Sequence, residues 1–161
     1  MRLCSSNEFA KLSANSGVEL TDGKVFVETD GALKIHWEDN VNYVAFAKAA
    51  EKTVVSSQYF IIFYEYGIWP SSENLYLFKL VMQAWFSGAT IRPNMCTHFG
   101  SNDKEAAITL LQIGLQSGWG GIFFGDKQNW FQFNHDGLGY VKSSAAAFDE
   151  LEGLRGITIC A

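Results

Sequence analysis

Cys96, Thr97 and His98 are adjacent in this chain, and His135 and Asp136 follow 37 to 38 positions after His98. Cysteine, histidine and carboxylate are the ligand types of zinc, and a catalytic zinc needs three of them with one position open. The same residues could make a Cys–His nucleophile pair. Cys96, His98 and His135 are therefore the candidate metal or Cys/His set, provided the fold brings His135 to the other two. Otherwise they are a small buried thiol and two histidines satisfied by backbone or solvent. Glu65 follows a run of aromatic residues and lies between Tyr64 and Tyr66. A carboxylate at the rim of an aromatic pocket can have a raised pKa and act as a general acid or base. The plainer alternative is a strand-end glutamate that reaches water or a backbone donor. The glycines of Gly118-Trp119-Gly120-Gly121 do not make a phosphate loop, which needs glycines between a strand and a following helix. Here the order is helix then strand, so they serve a helix stop and a turn.

Asp126, Trp130, Gln132, Asn134 and Asp136 fall along one hairpin-like stretch. If Phe131 and Phe133 face a core, Trp130 points the other way among polar groups. An exposed tryptophan with acids and amides nearby has the composition of an interface hot spot. The competing reading has Trp130 covered by a neighbouring loop such as 89–100. Further acids gather at Glu28/Asp30/Glu38/Asp39 and at Asp149/Glu150/Glu152. The residues expected to meet a partner are Asp126, Trp130 and Asp136, followed by Glu38 and Asp39.

The elements that position these groups start with Gln58–Tyr66. Tyr59, Ile61 and Phe63 point to one face of a strand, Phe60, Ile62 and Tyr64 to the other, so the strand must be covered on both sides. Ser72 then caps a helix from Glu73 to Phe86, apolar almost all round, with Gly88 beyond its end. Ahead of this pair, Ser5 or Ser6 starts a helix through about Ala14 with Phe9 and Leu12 inward. Val18 to Leu20 form a short strand turned by Thr21-Asp22-Gly23. Lys24–Glu28 and Leu33–Glu38 read as a hairpin about Asp30-Gly31. Asp39 or Asn40 caps a helix from Val41 to about Lys52. Later, Ser101 or Asn102 caps a helix through Gln116 that is stopped by Gly118. Strands follow at 122–124, 130–134 and 140–142, then a helix from Ser143 or Ser144 to Glu152 and a closing strand at 157–160. Mixed order without a regular βαβ array predicts one α+β domain over 1–161, a mostly antiparallel sheet with about four to five helices on it.

The formal charge is −5 and lysines and arginines form no cluster, which argues against binding along nucleic acid. An acidic surface suits a basic partner. Thirteen Phe, six Tyr and five Trp exceed what a core of this size needs, and surplus aromatics are a resource of binding surfaces. Three widely spaced cysteines are not a disulfide framework and fit a reducing compartment. No apolar run follows Arg2, so no signal peptide is expected. The uncharged stretch 106–125 reads as helix then strand, not as a membrane span. The chain is thus expected to be soluble and cytoplasmic, without a cofactor.

His98-Phe99, a capped helix, Gly118-Trp119, an aromatic strand and Asn134-His135-Asp136-Gly137 together cover the second half of the chain. This profile resembles the small acidic immunity proteins of bacterial polymorphic-toxin and contact-dependent inhibition systems. The resemblance implies a non-enzymatic cytosolic protein that occludes a cognate toxin domain, expected to be a basic nuclease. It assigns no residues, because immunity surfaces differ from pair to pair. The alternative is a small metal-dependent or Cys/His enzyme or ligand-binding domain.

Overall fold

The computed structural model describes residues 1–21, 24–65, 80, 83–85, 94–143 and 148–160. Its strands are β1 (Arg2–Leu3), β2 (Val18–Thr21), β3 (Lys24–Val27), β4 (Leu33–Trp37), β5 (Tyr59–Glu65), β6 (Cys96–Phe99), β7 (Gly120–Phe124), β8 (Trp130–Phe133), β9 (Leu138–Lys142) and β10 (Ile157–Cys160). Its helices are α1 (Ser6–Ser16), α2 (Tyr43–Thr53), α3 (Lys104–Gln116) and α4 (Asp149–Glu152), with a 3-10 turn at Ser101–Asp103. Leu80 and residues 83–85 are also helical. The rest of the helix predicted at 73–86, its Ser72 cap, the turn at 67–72 and the first turn of the helix predicted from Ser143 or Ser144 lie outside the described residues.

Eight strands form one sheet in the order β1-β6-β5-β7-β8-β9-β4-β10, and β2 and β3 form a second, two-stranded sheet. Every pairing among the described residues is antiparallel. The architecture is α+β, as the mixed element order predicts.

β5 is an interior strand, third of eight in the sheet, as its apolar residues on both faces require. Its residues Tyr59 to Phe63 are all buried. Tyr59, Ile61 and Phe63 join Phe123, Phe131 and Phe133 in a core beneath α2, α3 and α4. Phe60 and Ile62 join Ile122, Phe124 and Trp130 in a second core that includes Phe9 of α1 and Val18 of β2. Removing each such ring from water contributes about 1.5–3 kcal/mol. α3 lies close on β5 because position 114 is glycine, where a Cβ would collide with the Phe63 ring. Gly118 instead takes φ 62° where the helix stops, so the two glycines of this Gly-x-x-x-Gly spacing serve separate purposes. No helix among the described residues is long and apolar enough to cross a membrane.

The helix ends follow their side chains. Ser5 and Glu8 form a reciprocal capping box at the start of α1, and Gly17 at φ 72° ends it. α2 begins later than Asp39 or Asn40 would place it, because Asn42 is the residue whose side chain accepts from the Ala45 N–H.

The hairpin expected between Lys24–Glu28 and Leu33–Glu38 does not form. The turn exists, with the Ala32 N–H donating to the Thr29 carbonyl at 2.9 Å. Its two arms part company, however. β3 pairs with β2, Thr21 opposite Lys24, while β4 pairs with β9 and β10. The expected alternation within β4 holds, with Ile35 and Trp37 buried and Lys34 and His36 exposed.

Candidate functional site

The turn between β8 and β9 builds the site. The Asn134 side-chain oxygen accepts from the backbone N–H groups of Asp136 (3.1 Å) and Leu138 (3.0 Å), the self-capping turn that asparagine favours. Gly137 takes φ 71°, and its close approach to the Trp37 carbonyl leaves no room for a side chain. The Trp37 N–H donates to the Gly137 carbonyl at 2.9 Å. This contact joins the end of β4 to the turn, and the two residues after β4 are Glu38 and Asp39. A local turn and one cross-strand hydrogen bond therefore gather acids that are about 100 positions apart in sequence.

The result is a cleft of about 560 Å³ at one end of the sheet, lined by Glu38, Asp39, Tyr43, Ser117, His135 and Asp136 among others. The last turn of α3 and the start of α2 also contribute to its lining, through Gln116 and Tyr43. Among the described residues, none that lines it is lysine or arginine. His135 stands between two carboxylates, with Nδ1 3.1 Å from Glu65 Oε2 and Nε2 3.3 Å from Asp136 Oδ1. Beside it, Tyr64 donates its hydroxyl to the Phe133 carbonyl at 3.0 Å, and burial pushes its pKa up to about 12. Glu65 thus reaches neither water alone nor a backbone donor, but the His135 ring.

Of the residues singled out in sequence, the structure brings Glu38, Asp39 and Asp136 onto this one cleft. Asp126 belongs elsewhere. It lies in the β7–β8 loop, at the opposite end of β8 and about 13 Å of strand away from the β8–β9 turn. There it accepts from the Ser56 hydroxyl at 2.6 Å. Trp130 is not a surface anchor. It is 1 % exposed, because the second face of the sheet carries an apolar layer of its own.

The Cys96, His98 and His135 set is not a constellation. Cys96 and His98 pair with Ile62 and Phe60 on β5, and Glu65, which holds His135, is five residues further along that strand, about 16 Å from Phe60. His98 instead stacks on Phe60 with ring centroids 4.8 Å apart and meets Gln58 Oε1 at 3.0 Å. Its pKa is lowered by burial first, then by the Arg2 charge. No group of three or more histidine, cysteine or acidic side chains suited to a metal ion occurs among the described residues.

Two features escaped the sequence. The pairing of Glu65 with His135 depends on a register shift in β5 between Phe63 and Glu65, which no local pattern announces. The second is Cys4, whose neighbour is Cys96. By contrast, Asn134 and Gly137 did carry a legible turn signal.

Fold and site together define an antiparallel α+β protein with an acidic cleft at one end of its sheet. Comparison with protein-family models, with curated proteins and with solved structures finds no match to this chain.

Proposed function

We propose that this chain is a cytosolic immunity-type protein that binds and occludes a basic toxin domain, using the acidic cleft as its docking surface. The observation that supports the reading best is the gathering of Glu38, Asp39 and Asp136, all exposed, on a cleft that no lysine or arginine lines among the described residues. A cationic loop of a nuclease-type domain is its complement. Acids at such a surface steer the encounter and set specificity, so they act mainly on the association rate. Bacterial origin and a toxin gene nearby are part of the same proposal and rest on the resemblance of the chain's second half to immunity proteins.

The test is co-expression with the C-terminal domain encoded immediately upstream, with growth rescue as the readout. The expected result is a stable complex and restored growth. Charge reversal at Glu38→Lys, Asp39→Lys and Asp136→Lys should slow association about 10- to 1,000-fold at low salt, with the difference shrinking as salt rises. Rescue without any effect of the three reversals would move the docking surface off the cleft. No complex and no rescue would end the immunity reading.

The dyad of His135 and Glu65 favours a second reading, a ligand-binding or acid–base site. The Glu65 carboxylate on one ring nitrogen orients the imidazole, and the other nitrogen faces the exposed Asp136 carboxylate at 3.3 Å, an arrangement that can pass a proton to a ligand in the cleft. A substrate-derived ligand protecting the cleft in hydrogen exchange, with protection lost in His135→Ala, would support it. Unchanged exchange across a panel of cationic metabolites would count against it.

A further inference from the structure

Cys4 and Cys96 are 92 positions apart in sequence, yet their Sγ atoms lie 3.1 Å from each other. The contact is set by strand pairing. Arg2 pairs with His98 and Leu3 with Thr97, and one step further the Cys4 N–H donates to the Cys96 carbonyl at 2.8 Å. The two cysteines are therefore directly opposite at the edge of the sheet. We propose that they are a redox pair, a cross-strand dithiol that hydrogen peroxide converts reversibly into a disulfide.

Geometry and access divide the roles. Cys4 is partly exposed and lines two clefts beside α1, of about 510 and 200 Å³, through which a small oxidant can reach it. Cys96 is buried, 6 % exposed, and borders only the larger of these clefts. Around the pair stand Arg2, Glu8, Lys11 and His98, the charged and titratable groups of the smaller cleft. The hydrogen bond shared with Cys96 lowers the Cys4 pKa, and the Arg2 guanidinium adds to that, whereas burial raises Cys96 well above the ordinary thiol value. Cys4 is thus the nucleophile and Cys96 the resolving thiol.

The chemistry balances with peroxide as the only co-reactant. The Cys4 thiolate attacks one peroxide oxygen, the O–O bond breaks, and the departing hydroxide leaves as water after taking a proton. Cys4 is then a sulfenic acid. Cys96 Sγ attacks Cys4 Sγ, the S–O bond breaks, and the hydroxyl leaves as water with the Cys96 proton. Two electrons pass from the sulfurs to the peroxide, giving one disulfide and two waters. Opposed residues in an antiparallel pair hold their Cβ atoms about 4.5–5.5 Å apart, at or beyond the upper limit a disulfide accepts, so closing the bond draws β1 towards β6. Such a bond is readily reversed by thiols, as a regulatory disulfide must be.

The experiment treats the reduced full chain with stoichiometric hydrogen peroxide and reads intact mass and a peptide map. The expected product has lost two hydrogens, links the Cys4 and Cys96 peptides, leaves Cys160 open to alkylation, and reverts with dithiothreitol. Its melting temperature should shift by no more than a few degrees from that of the reduced form, since strain in the bond offsets the gain from closing a long loop. Cys96→Ser and Cys96→Ala should each stop at a Cys4 sulfenic acid that dimedone traps, and Cys4→Ser should leave Cys96 unreacted. Oxidation centred on Cys160, a disulfide-linked dimer, or Cys4 sulfinic acid without the Cys4–Cys96 peptide would each overturn the proposal.

Discussion

The two ends of β8 carry one aspartate each, and they do different things. At the β7–β8 end, Asp126 is partly buried and bonded twice to Ser56, accepting from its hydroxyl and donating its own N–H at 3.2 Å. At the β8–β9 end, Asp136 is 62 % exposed at the side chain and shares a cleft with Glu38 and Asp39. Both residues look alike in composition. The first holds two loops together, and the second presents charge to whatever enters the cleft. An acid is informative about binding only once its hydrogen bonds have been accounted for.

The strand between them provides the largest test. If β8 is a buried spacer separating a structural end from an open one, then Trp130→Ala should cost about 3–5 kcal/mol in urea unfolding, the range for truncating a buried aromatic ring. A cost below about 1 kcal/mol would mean that Trp130 belongs to the surface after all, and the contrast between the ends would lose its basis. The next effect is smaller and compares the ends directly. Asp126→Ala removes a charge-assisted hydrogen bond and takes the acceptor from the Ser56 hydroxyl proton, so it should destabilise by about 1–3 kcal/mol. Asp136→Ala should stay within about 0.5 kcal/mol in the same assay while weakening partner association. Equal stability losses at the two positions would erase the distinction.

Part of this was legible in the residues themselves. β5 announced a central strand because Tyr59 to Phe63 are apolar to both sides, and α1 and α3 announced their ends through Ser5, Gly17 and Gly118. These signals are local. The failures arose where the answer depended on distant partners. Asp30-Gly31 correctly marks a turn, but a turn does not decide which strands pair, and Asp22-Gly23 offered β3 another neighbour. The alternation in β8 correctly puts Trp130 opposite Phe131 and Phe133, but it cannot tell whether the far face is covered. Glu38, Asp39 and Asp136 were visible as acids; that they share a cleft follows from the Trp37–Gly137 hydrogen bond, which is non-local. The same holds for Cys4 and Cys96, joined only by the β1–β6 register.

Glu8 sharpens the comparison with a third kind of acid, one whose side chain is 40 % exposed and yet fully engaged. Its carboxylate accepts from Arg2 Nη1 at 2.7 Å and Nη2 at 2.5 Å, and from the Ser5 N–H and hydroxyl at 2.9 Å each. The Arg2 hydrogen bond first, and the Ser5 bonds after it, hold its pKa at about 2 instead of the ordinary 4.5. Because the folded pKa lies below the unfolded one, its contribution to stability is complete above about pH 4.5 and is lost as the pH falls through about 2. Solvent screening makes that contribution small. In a series of thermal melts from acid to neutral pH, Glu8→Gln should therefore lie slightly below the parent near neutrality, and the two curves should converge towards pH 2. A gap that is constant with pH would show that the α1 cap depends on the shape of residue 8 and not on its charge. Exposure would then sort the acids of this protein as well as hydrogen bonding does, and Glu8 would belong with Asp136 instead of Asp126.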